Sequence, residues 1–193
     1  MKFRTSPLKS FINITLLREG DTPMNTILIL DKDAKTELSE DLKERILTIL
    51  KEKAHRVEVV ELGRSNVTPC FGCLLCLTKH VGICVTRDRI AEIRNNANRY
   101  DMTIFLTPVI FGHFGSTVKC AIDRGCGNQN LQVMVGYSDD IDDEEKSTFI
   151  DLTLKHRGEA DIVHPGFDTQ VDVYLTTSSQ DNDAICEAFK KYV

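Results

Sequence analysis

One short run, Thr26-Ile27-Leu28-Ile29-Leu30, constrains this chain more than any other feature of its sequence. A strand that is apolar at successive positions, rather than at every second one, has to be covered on both faces. The pattern returns in Met102-Thr-Ile-Phe-Leu-Thr107, which the reading ends at Pro108, and in residues 131–135. Residues 56–62 (RVEVVEL) alternate, and residues 171–176 make a fifth strand. Helical spacing fills the intervals. Leu38, Leu42, Ile46, Leu47, Ile49 and Leu50 recur on one face through Lys53, with Thr36 or Ser39 available as the N-cap. Residues 87–98 turn Ile90 and Ile93 inward, and residues 116–124 form a short helix. Residues 142–156 are acidic in the first turn and basic in the last, which complements the helix dipole. Residues 181–192 close the chain as a last helix.

Strands that alternate with helices build a parallel sheet with right-handed crossovers and helices on both faces. The expected fold is therefore α/β: a doubly wound, five-stranded parallel sheet of flavodoxin type in three layers, α/β/α. Sheets of this kind bind ligands at the carboxyl ends of their strands, near the point where strand order reverses. The loops to search follow Leu30, Leu62, Thr107 and Val135. The folded domain is read as 25–193. Residues 1–24 form an extension with Pro7, Pro23 and a Gly20-Asp21 turn signal. Its apolar residues Phe11, Ile12, Ile14, Leu16 and Leu17 are expected to dock on the body or on a neighbouring subunit.

Composition narrows the function. The chain of 193 residues is 41% hydrophobic and 27% charged, as a single globular domain should be. Lys plus Arg total 24 and Asp plus Glu 29, so the formal charge is 24 − 29 = −5. That balance gives no general attraction to nucleic acid or anionic lipid, and neither is expected as a partner. No apolar run approaches the roughly 20 residues of a membrane span. The start of the chain is basic, but the apolar residues 11–17 are interrupted by Asn13 and Thr15 and lack a small-residue cleavage site. Seven cysteines, an odd number, fit a reducing compartment, and a cytoplasmic location is expected.

Four of those cysteines cluster as Cys70-x2-Cys73-x2-Cys76-x7-Cys84. Thiolates three apart can converge on one face of a cluster, and a fourth beyond a Gly-bearing loop can close it, as in compact [4Fe–4S] sites. Zinc accepts four thiolates too, though usually as two separated Cys-x2-Cys pairs. The same residues also suit small apolar fillers or a redox thiol. His80 lies within the loop and reads as exposed rather than as a ligand. Cys120, Cys126 and Cys186 share no such spacing.

A second motif, Thr107-Pro108-Val109-Ile110-Phe111-Gly112-His113-Phe114-Gly115-Ser116, follows a buried strand. Pro and two Gly let backbone lie close to a flat ligand, free N–H groups can meet ring heteroatoms, and Phe111 and Phe114 can wall it. A plain strand-to-helix connection with buried aromatics fits the same residues. Asp123-Arg124, at the end of the next helix, reads as a surface pair of little energetic value.

In this order the segments resemble the NAD(P)H-dependent FMN reductases of flavodoxin-like fold, and among them the iron–sulfur flavoproteins. The resemblance rests on TILIL, on VTPCFGCLLCLTKHVGICVTRDRIAEI and on YDMTIFLTPVIFGHFGSTVKCAIDR. It implies an FMN-dependent NAD(P)H oxidoreductase or electron carrier, with a nicotinamide or a redox protein as its partner and a homo-oligomeric assembly. It places the isoalloxazine against Pro108, Val109, Ile110, Phe111, Gly112 and His113, the phosphate near Lys35, Thr36 and Ser39, and a [4Fe–4S] cluster on Cys70, Cys73, Cys76 and Cys84. No residue is singled out as an acid or base. One departure stands out. Where the family carries a Gly-Ser-x-Arg phosphate loop, this chain has Asp31-Lys32-Asp33-Ala34-Lys35-Thr36, with no Gly and two Asp. A degenerate subunit, kept for its fold and interfaces, is the alternative this departure raises.

Overall fold

The computed structural model describes residues 23–52, 55–125, 131–163 and 170–192. The expected extension 1–24 lies almost wholly outside the described residues, as does Cys126. Strands β1 (Asn25–Asp31), β2 (Arg56–Leu62), β3 (Met102–Ile110), β4 (His113–Phe114), β5 (Leu131–Tyr137) and β6 (Gln170–Thr176) alternate with helices α1 (Glu37–Glu52), α2 (Arg89–Asn95), α3 (Ser116–Asp123), α4 (Asp143–Val163) and α5 (Ser179–Phe189). Five strands are parallel in the order β2-β1-β3-β5-β6, and β4 is an antiparallel addition to β3. The order is the flavodoxin one expected, but the sheet has six strands rather than five.

The apolar runs explain the layers. Leu28 and Leu30 of β1 pack with Ile104 and Leu106 of β3 against Leu42, Ile46 and Leu50 of α1 and Ile185 and Phe189 of α5. Ile27, Ile29 and Phe105, on the opposite face, meet Ile90 of α2, Val118 and Ala121 of α3 and Phe149 of α4. Successive residues of one strand thus feed two cores, which is why β1 and β3 carry no alternation. At the edge, β2 buries Val60 and Leu62 and leaves its glutamates in water.

Two expectations about boundaries need correcting. β3 does not stop at Pro108 but runs on to Ile110. Its pairing with β1 ends at Leu106, so Pro108 has no β1 partner to donate to, and β4 takes over that edge from Val109. α4 does not end at His156 but continues to Val163, so its last turn is not the basic one expected.

Candidate functional site

The order of strands reverses between β1 and β3, and the loops at their carboxyl ends form the candidate site. At the end of β1, Asp31 is buried, at 4% exposure. Its carboxylate accepts from the Asp33 N–H at 2.8 Å and from the Thr117 hydroxyl of α3. Thr36 and Ser39 form a reciprocal cap on α1: the Thr36 N–H donates to Ser39 Oγ at 2.9 Å and the Ser39 N–H to Thr36 Oγ1 at 3.2 Å. Lys35 Nζ lies 2.6 Å from Glu61 and 3.7 Å from Glu40, and Lys32 Nζ donates to Ser65 Oγ at 2.9 Å. The Tyr137 hydroxyl, from the end of β5, donates to the Ala34 carbonyl at 2.8 Å. Burial pushes that phenol well above its usual range, and the Asp31 carboxylate adds to the rise. The residues expected to meet a phosphate are therefore gathered here, but their donors are turned onto protein acceptors.

At the end of β3 the second motif folds as a hairpin. Val109 pairs with Phe114 and Ile110 with His113, across a turn in which Phe111 (φ 50) and Gly112 (φ 70) are both left-handed. That is the geometry of a two-residue type I′ turn, and Gly at its second position is what the turn requires. A Cβ on Gly112 would stand 2.8 Å from the Thr148 Cβ of α4, and one on Gly115 would stand 2.7 Å from Pro108 Cγ and 3.2 Å from Asp31 Oδ2. The Gly115 N–H donates to the Pro108 carbonyl and to Thr107 Oγ1. Pro108 and Val109 are buried, His113 is half-buried, and Ile110 and Phe111 are exposed, Phe111 at 89%. Phe114 is not a wall of the loop. It is buried, with its ring edge-on to Phe149 at 5.5 Å.

The cysteine segment follows β2. Cys70 and Cys73 are exposed and Cys76 and Cys84 half-buried. No group of three or more His, Cys, Asp or Glu side chains converges on a metal position among the described residues. Cys84 explains part of this, because its sulfur is already engaged: Arg124 Nη2 donates to it at 3.2 Å, and Thr86 Oγ1 lies at 3.3 Å. Burial raises this thiol, but the bonds from Thr86 and Arg124 outweigh it and hold the group below its ordinary value. The arrangement as it stands does not fit a four-thiolate cluster.

Arg124 was expected at the surface beside Asp123, and this is corrected. Asp123 pairs with Lys119 instead, and the Arg124 side chain is 1% exposed. Its two terminal nitrogens grip Asp88 at 2.6 and 2.8 Å, and Nη1 also donates to the Thr68 carbonyl at 2.9 Å. Asp88 in turn caps α2 through the Ala91 N–H and accepts from the Thr68 N–H. Burial works against the charged form of this carboxylate, yet the Arg124 bonds outweigh it and hold its pKa at about 2. Arg124 therefore ties both ends of the cysteine segment to α3. Sequence reading missed Thr117, Tyr137 and Asp88, and it found Asp31 in the loop without its burial or its bond to Thr117. A charged residue at the end of a wholly apolar run is a further signal that marks Asp31.

Comparison with known proteins adds to this geometry. The family model described as NADPH-dependent FMN reductase matches residues 24–137. An iron–sulfur flavoprotein of Archaeoglobus fulgidus is 29% identical over 101 residues, which are 52% of this chain and 45% of that protein. A second from the same organism is 31% identical over 95 residues, 47% of this chain and 46% of that one. The chain thus spans about half the length of the curated relatives it matches. Among solved structures, an NAD(P)H:quinone oxidoreductase from Methanothermobacter marburgensis superposes with a TM-score of 0.62 at 14% identity, covering 88% of this chain and 95% of that one. At that identity the likeness concerns the fold alone.

Proposed function

This chain belongs to the NADPH-dependent FMN reductase family, and on that footing we propose that it is a flavin-dependent oxidoreductase or electron carrier drawing on NAD(P)H. A bound flavin would supply hydride and single-electron transfer, and the protein would orient the ring and limit its contact with water. The observation that carries the proposal is the hairpin at the strand-order reversal. It exposes Ile110 and Phe111 and half-exposes His113 at the end of β3, beside Asp31 of β1 and Gly136 of β5. A flat apolar ring suits such an edge. A subunit that has lost its flavin finds no support in the family match or in the relatives.

The phosphate of FMN is a different matter, since the residues at the β1–α1 loop do not fit it. Asp31 and Asp33 face that loop, Lys35 is paired with Glu61, Lys32 is turned onto the Ser65 hydroxyl, and the Thr36 and Ser39 donors close on each other. The proposal therefore rests on the ring.

Two further elements belong to the proposal. A [4Fe–4S] cluster on Cys70, Cys73, Cys76 and Cys84 is supported by spacing and by the likeness to iron–sulfur flavoproteins, and opposed by the placement of the thiols. Anaerobic reconstitution decides it: about four irons and four sulfides per chain, cut sharply by Cys76→Ala, would establish the site, and stoichiometric zinc without iron would remove it. A homo-oligomer is supported by the apolar side chains exposed on the cysteine segment and the hairpin.

The main test is titration of flavin fluorescence with protein, followed by oxidation of NADH and NADPH in the presence of flavin. Quenching at micromolar protein and flavin-dependent nicotinamide oxidation are expected. Failure of both FMN and riboflavin to bind at about 100 μM would overturn the proposal.

A further inference from the structure

We infer that Asp31 makes this chain select flavin by its ring and ribityl chain while turning the terminal phosphate away, so that riboflavin is held at least as well as FMN. The inference rests on the flavin reading above and goes beyond it, because it assigns a specificity-determining residue that runs against the phosphate.

The position where a doubly wound sheet offers an anion its donors is filled here by the protein's own anion. Asp31 closes β1, is 4% exposed, and is pinned by the Asp33 N–H and the Thr117 hydroxyl. It sits against Gly115, the N-cap of α3, where a helix dipole favours negative charge. Asp33 adds a second carboxylate, held by the Arg64 N–H at 2.7 Å. The two lysines of the loop do not offset these for a ligand. Lys35 is held between Glu61 and Glu40, so freeing it would expose two more carboxylates to the same anion. Lys32 is folded over Gly63 toward Ser65, where a Cβ on the glycine would stand 2.1 Å from Lys32 Cε. A phosphate of charge about −1.5 to −2 entering this loop meets two fixed carboxylates, one lysine already held by carboxylates and one turned away onto Ser65. A ribityl hydroxyl meets no such repulsion. The residues at the hairpin, which would meet the ring, are unaffected by this balance.

Isothermal titration of the full chain with FMN and with riboflavin tests this, at ionic strengths of about 50 and 300 mM. Riboflavin is expected to bind as tightly as FMN or more tightly. FMN affinity should rise with salt as the repulsion is screened, while riboflavin affinity stays flat. Asp31→Asn, close in shape and without the charge, should tighten FMN by about tenfold and leave riboflavin within about twofold. Should Asp31→Asn fail to fold, Asp31→Ser replaces it with the same expectation, while the salt series, which needs no variant, reads the repulsion of the loop's carboxylates together. FMN binding more than tenfold tighter than riboflavin, and weakening with salt, would overturn the inference while leaving the flavin reading intact. Binding of neither flavin would overturn the flavin reading itself, and this inference with it.

Discussion

Arg124 shows how much one residue can decide. Its guanidinium, almost wholly buried, holds Asp88 through two bonds and reaches Thr68, Thr86 and Cys84 besides. Removing one partner of a buried pair leaves the other charge uncompensated, which costs about 3–5 kcal/mol. Arg124→Ala should lose that much in urea unfolding, and Arg124→Lys should recover little, because an ammonium cannot make the paired bonds. A loss below 1 kcal/mol would mean the network is ornamental. The same pair predicts a pH dependence. Asp88 titrates near 2 when folded and near 4 when unfolded, so the unfolded chain binds the proton more readily. The contribution, about 2.5 kcal/mol, is complete above pH 5 and fades as pH falls from 4 through 2. Urea midpoints measured from pH 6 down to pH 3 should therefore fall less steeply for Asp88→Asn than for the parent chain. Their pairing was not legible in the sequence, since 36 residues separate them and nothing local marks their union.

Among the elements, the β3–β4 hairpin combines a demanding turn with an unsuitable residue. Phe111 has φ 50 and is 89% exposed, so it neither relieves strain by its identity nor buries its ring in this chain. Asn at the first position of such a turn, before Gly112, is the favoured pair. Phe111→Asn should therefore raise stability by about 0.5–1 kcal/mol while weakening flavin binding several-fold, a trade that calorimetry and titration of one variant can show together. No gain in stability would remove the strain argument, and unchanged flavin binding would remove Phe111 from the site. Gly112→Ala should do the opposite, costing about 1–3 kcal/mol from its left-handed backbone and from its collision with Thr148. What the sequence made legible follows the same division. β1, β3 and β5 were readable because a strand buried on both faces is apolar at consecutive positions. The hairpin was not, because β4 has two residues and no period, and Pro108 reads as a stop until the loss of its β1 neighbour is known. In the β1–α1 loop the residues were found but not their state. Tyr137 reaches Ala34 across 103 positions, and Thr117 reaches Asp31 across 86.

At the scale of the whole molecule, the exposed apolar side chains of the described residues lie mostly at one end. Phe71 is 71% exposed and Val81 70%, and with Leu74, Ile83, Val85, Ile110 and Phe111 they belong to the segments that follow β2 and end β3. Both segments leave the carboxyl ends of neighbouring parts of one parallel sheet, the end that also carries the candidate flavin site. The network around Arg124 holds the cysteine segment in place at both ends, so its apolar side chains are not simply loose in water. Each square ångström of such surface removed from water contributes about 25 cal/mol, and a stable interface needs about 800 Å² per partner. The proposed homo-oligomer would meet that need by pairing this end with the same end of a second copy, which would also shield a flavin from solvent. Phe71→Ser combined with Val81→Ser tests the arrangement, since neither side chain supports the core. Light scattering at about 50 μM should give twice the chain mass for the parent protein and a shift toward the single-chain mass for the variant. The thermal midpoint at low concentration, where both are single chains, should not differ. A parent protein that stays monomeric at that concentration, or a variant that keeps the parent's mass, would remove this end of the sheet as the interface.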